Sequence, residues 1–64
     1  MKTGTIKFYS TSKGYGFITD SLDAKEYFFH ISGVIGAIPD KGERVQFSLM
    51  ETKKGMQAEQ VLVL

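Results

Sequence analysis

The stretch Lys13-Gly14-Tyr15-Gly16-Phe17-Ile18 sets a cation ahead of two rings at alternate positions, with a glycine on either side of the first ring. In an extended strand successive side chains point to opposite faces, so Tyr15 and Phe17 share one face and Gly16 and Ile18 the other. Two rings at that pitch, with a lysine just upstream, make a surface on which successive bases can stack. A second stretch, Glu26-Tyr27-Phe28-Phe29-His30-Ile31, divides in the same way. Tyr27, Phe29 and Ile31 form a wholly apolar or aromatic side, expected to be core. Glu26, Phe28 and His30 mix an acid, a ring and an imidazole, and are expected to face solvent.

These two stretches need elements to hold them. No segment carries a helical period over ten or more residues. Five short runs rich in β-branched and aromatic residues, at about 3–10, 15–20, 26–31, 44–51 and 56–63, are separated by turn signals. Val45, Phe47 and Leu49 make an inward stripe in the fourth run, opposite Arg44, Gln46 and Ser48. The one long connection, 32–43, holds Gly33, Gly36, Pro39 and Gly42 and has room for a short helical turn. Five short antiparallel strands predict an all-β barrel, because closure hides the edges that an open sheet would expose. The first run leaves two readings open. If Ile6 points inward, strict alternation sends Phe8 inward and Lys7 and Tyr9 outward. A β-bulge within 7–9 would return Phe8 to the solvent face.

Sixty-four residues make one domain, spanning 1–64, near the lower size at which a chain without staples folds alone. With no cysteine, disulfides and thiolate metal sites are excluded and a reducing cytoplasm is the expected location. The start, Met1-Lys2-Thr3-Gly4, reads as no signal peptide, and no apolar run approaches the roughly 20 residues that span a membrane. The net charge of +1 gives little bulk steering. Its distribution matters more: residues 1–13 carry Lys2, Lys7 and Lys13 with no acid, and Lys53-Lys54 mark a turn. A nucleic-acid binder of this composition would rely on stacking more than on bulk charge.

The segments Gly4-Thr5-Ile6-Lys7-Phe8-Tyr9-Ser10, Lys13-Gly14-Tyr15-Gly16-Phe17-Ile18 and Tyr27-Phe28-Phe29-His30-Ile31-Ser32, in that order and spacing, resemble the bacterial cold shock proteins. The resemblance covers nearly the whole chain. It implies a five-stranded antiparallel Greek-key barrel of the oligonucleotide/oligosaccharide-binding type. It also implies a binding face made of Lys7, Phe8, Lys13, Tyr15, Phe17, Phe28 and His30. Phe17, Phe28 and His30 are expected to stack on bases, Tyr15 to add a further platform, and Lys7 and Lys13 to track phosphates. Gly14 and Gly16 are expected to keep the turn tight and the strand surface low. The implied partner is single-stranded RNA or single-stranded DNA, bound by a monomer. No cofactor, metal, membrane or small-molecule substrate is implied. Where such proteins commonly read Lys-Trp-Phe-Asn, this chain has Lys7-Phe8-Tyr9-Ser10; Ile31 replaces an aromatic, and Met56 a proline. A narrower and weaker footprint is expected.

RNA-recognition-motif domains carry a similar hexapeptide, but on an interior strand after a helix, whereas here it begins at residue 13 with no helix before it. An enzyme is not expected. One histidine, no cysteine, and no serine or carboxylate ordered with His30 leave no catalytic set. Asp20, Asp23 and Glu26 lack calcium-loop spacing and are expected to be a solvated turn. Gly14-Tyr15-Gly16 lacks the third glycine of a dinucleotide fingerprint. The rival is a protein-interaction module, since small barrels also bind peptides on exposed aromatics.

Overall fold

The structure is a computed structural model that describes residues 1–64. It contains five strands, β1 (Lys2–Ser10), β2 (Tyr15–Asp20), β3 (Glu26–His30), β4 (Arg44–Thr52) and β5 (Gly55–Val63). A short 3-10 turn, Ile31–Gly33, follows β3 and takes up Ile31, which the strand pattern would have continued through. The strands close into a barrel in the order β1-β2-β3-β5-β4. β1 to β3 form a meander, and the chain then crosses over so that β4 lies beside β1, which is the Greek-key arrangement. Directions cannot alternate around a closed ring with an odd number of strands. One pair must therefore be parallel, and it is the closure between β3 and β5, where Phe28 pairs with Gln57 and Phe29 with Ala58. Every other pair is antiparallel. No helix is long and apolar enough to cross a membrane.

The core draws on all five strands: Ile6, Ile18, Phe29, Val45, Phe47, Ala58 and Val61 are buried. Tyr27 and Leu49 pack against it as their parity requires, and Ile31 is half-buried. Two bulges bend the barrel. In β1, Ile6 pairs with Ile18 and Phe8 with Phe17, so Lys7 is an extra, unpaired residue. Alternation resets there. Ile6 points in, Lys7 and Phe8 are both exposed, and Tyr9 turns inward to stack on Phe29 at 6.0 Å and 12°. The bulge reading of the first strand is therefore the one realised. In β5, the three steps from Glu59 to Leu62 oppose only two on β4, from Ser48 to Gln46, and Gln60 takes a left-handed φ of 53° to make the turn.

Two local expectations are corrected. Asp20 is not part of a solvated turn but 2% exposed. Its Oδ1 accepts from the Leu22 amide at 2.8 Å, shaping the β2–β3 turn, and its Oδ2 lies 3.1 Å from Lys2 Nζ. Gly16 does not lower the outer surface; it is buried on the inner one. A Cβ there would sit 2.9 Å from two ring atoms of Phe29 and closer still to the Phe8 carbonyl. The absent side chain makes room for the core phenylalanine beneath the bulge.

Candidate nucleic-acid interface

Register alone builds the outer face. Phe8 of β1 pairs with Phe17 of β2, Phe17 with Phe28 of β3, and Phe28 with Gln57 of β5. Three rings thus stand in one row across three adjacent strands. A second row sets Tyr15 beside His30. Ring centroids are 6.3 Å apart for Phe8–Tyr15 and for Tyr15–Phe17, 5.5 Å for Tyr15–Phe28 and 5.9 Å for Phe17–Phe28. The pairs are tilted or edge-on, so the rings brace one another by quadrupole contacts while keeping faces available. Phe8 is 44% exposed, His30 is exposed, and Tyr15, Phe17 and Phe28 are half-buried.

The supports are local. Gly14 adopts φ of 72°, its amide donates to the Ser10 carbonyl at 2.8 Å, and its own carbonyl accepts from Ile31 at 2.8 Å. The β1–β2 turn is thereby tied to the end of β3, and exposed Lys13 is held at the platform's rim. His30 caps the 3-10 turn: Nδ1 accepts from the Ser32 amide at 3.1 Å and lies 3.0 Å from the Ser32 hydroxyl. Because a backbone N–H can only donate, the neutral ring carries its proton on Nε2, which is left for other partners.

All seven residues singled out in the sequence lie on or beside this face. Lys7 differs from the other lysines there, since its ammonium is ion-paired with Glu26. Sequence reasoning missed the far wall. Phe17 and Phe28 form one side of a cleft of about 580 Å³ whose other side is Thr52, Lys53, Lys54, Met56 and Gln57 of the β4–β5 hairpin. The Lys53-Lys54 pair was visible as a cationic turn, but only the β3–β5 closure brings it to the rings. Ile35 and Ile38 of the long connection are exposed. Asp20 lies away from the cleft; its carboxyl is held below the usual range, chiefly by the Leu22 amide and also by Lys2, against the opposing cost of burial.

A closed five-stranded Greek-key barrel with rings on the outer face of β1 to β3 is the architecture of an oligonucleotide/oligosaccharide-binding domain. Residues 2–64 match the family described as the 'Cold-shock' DNA-binding domain, and the chain belongs to that family of nucleic-acid binders. It is 37% identical to the cold shock-like protein CspLB of Listeria monocytogenes, over all of both chains. Identity to the major cold shock protein of Micrococcus luteus is 34%, again over all of both. Among solved structures, Drosophila Unr CSD456 superposes with a TM-score of 0.82 at 25% identity, over 98% of this chain and 26% of that one.

Proposed function

We propose that this domain binds unpaired RNA or DNA by stacking consecutive bases on Phe8, Phe17 and Phe28, with Tyr15 and His30 as flanking platforms. The observation that carries this reading is the row of rings in register across β1, β2 and β3, exposed at its Phe8 end and with Phe28 edge-on to Phe17. Lys13 at the rim and Lys53 and Lys54 across the cleft supply cations for phosphates on either side of the row. Lys7 stands at its β1 end. Duplexes hide base faces in their own stack, so the face favours single strands.

A domain that holds strands unpaired opposes hairpins by mass action. That is the action of an RNA chaperone, and the same binding would serve control of transcription or translation. The domain acts as a cytoplasmic monomer without catalysis or cofactor. Quenching of tyrosine fluorescence by oligo-dT, at low and then high salt, tests the reading. Saturable quenching at micromolar protein, weakened by salt and lost on Phe17→Ala together with Phe28→Ala, supports it. Indifference to oligonucleotide sinks it and returns the exposed rings to a peptide-binding role.

A further inference from the structure

Lys7 and Glu26 are on strands that do not touch. β2 runs between β1 and β3, with Thr19 paired to Glu26 on one side and the Lys7 bulge on the other. To reach the Glu26 carboxylate, the Lys7 side chain must therefore cross the outer surface of β2, next to the Phe8–Phe17–Phe28 row. Lys7 faces outward as alternation from buried Ile6 requires, and the bulge brings Phe8 to the same face, so the lysine lies beside the row it flanks. The two side chains are 55% and 47% exposed, so the pair is open to solvent and to an incoming strand. The structure holds two ion pairs, Lys2–Asp20 and this one. Lys13, Lys53 and Lys54 have no acidic partner.

We propose that Glu26 is an intrachain competitor for Lys7, holding its ammonium across β2 so that this end of the aromatic row stays electrically neutral and takes up no phosphate while the pair holds. The proposal rests on the single-strand binding reading above and adds a residue to it: Glu26 is a positioning residue that limits affinity through Lys7. A solvent-exposed pair of this kind is weak, so removing the carboxylate changes affinity by only a small factor. Opening it for a phosphate would return the gain, because the carboxylate would lose its partner beside an arriving anion. Lys7 accordingly contributes little to the salt dependence in the native chain, unlike a free surface lysine.

The test measures binding of a fluorescein-labelled dT oligonucleotide by anisotropy across a salt series, for the native chain, Glu26→Gln, Lys7→Gln and the double variant. Glu26→Gln is expected to bind about two- to six-fold tighter at low salt, the range set by releasing one exposed ion pair. The slope of log K against log salt should steepen by about 0.7, one further single-strand phosphate contact. Lys7→Gln alone should leave the slope near its native value, and adding it to Glu26→Gln should abolish the gain. Glu26 is exposed, so none of these changes threatens the fold. Unchanged affinity and slope in Glu26→Gln overturn the proposal, and so does weaker binding, which would mean the carboxylate itself contacts the ligand. A native chain that binds no oligonucleotide refutes the binding reading; a native chain that binds while Glu26→Gln fails to steepen refutes this inference alone.

Discussion

Phe17 stands at the centre of the proposed platform, paired in register with Phe8 on one side and Phe28 on the other. Truncating it to alanine removes one stacking face, worth about 1–3 kcal/mol per base, or roughly a 5- to 150-fold loss of affinity. The same change removes two ring contacts, to Tyr15 at 6.3 Å and Phe28 at 5.9 Å. At about 0.5–1.5 kcal/mol each, those contacts put the stability cost at about 1–3 kcal/mol. For a domain of this size that lowers Tm by some 4–8 °C per kcal/mol, so the fold survives if binding is measured well below the transition. Phe17→Leu separates the two effects, since leucine keeps most of the apolar volume but offers no flat face. Both variants should melt cooperatively, with leucine the more stable, yet both should bind dT oligonucleotides at least about five-fold more weakly. Anisotropy titrations on samples whose folding is checked by circular dichroism give the comparison. Native affinity in folded Phe17→Leu would refute the claim that the ring face carries binding.

Three further outcomes follow from the geometry. Exchanging both Lys53 and Lys54 for glutamine should flatten the salt slope by about 1.4, two single-strand phosphate contacts, with little effect at high salt; an unchanged slope would exclude the hairpin from the footprint. Gly16→Ala should lower the urea midpoint by the equivalent of about 1–3 kcal/mol or more, because the new methyl meets Phe29 at 2.9 Å. An unmoved midpoint would mean that β1 and β2 part there without strain. The Asp20 carboxyl is held below its ordinary value of 3.8, so its contribution is fully present above that pH and is lost as pH falls through the lower, folded value. Thermal melts from pH 7 to pH 2 should show that acid-side loss in the native chain and less of it in Asp20→Asn, and equal slopes would contradict the linkage.

Much of the platform was legible because β2 and β3 obey strict alternation: Tyr15, Phe17, Phe28 and His30 all reach the outer face that their parity assigns. β1 was not, because a single unpaired residue at Lys7 reverses every later side chain, and nothing in its composition marks where the register slips. The hairpin wall was not legible for a different reason. Thr52 to Gln57 lie more than twenty residues from Phe28, and only the parallel closure forced by an odd strand count brings them together. Asp20 and Gly16 illustrate a third limit. An acid in a run of turn residues reads as solvated until the fold sets Lys2 beside it, and a glycine between rings reads as a surface feature until Phe29 is found beneath it.

The central claim is that bases lie on the rings of β1 to β3, and nuclear magnetic resonance of the ring protons tests it without any substitution. Titrating a short dT oligonucleotide into the native chain should shift the ring resonances of Phe8, Tyr15, Phe17, Phe28 and His30 upfield, as stacked bases shield them. Buried Phe29 and Phe47 should move little. Shifts confined to the exposed apolar residues of the long connection and the C-terminal strand, such as Ile35, Ile38 and Leu62, with the platform rings unmoved, would contradict the account.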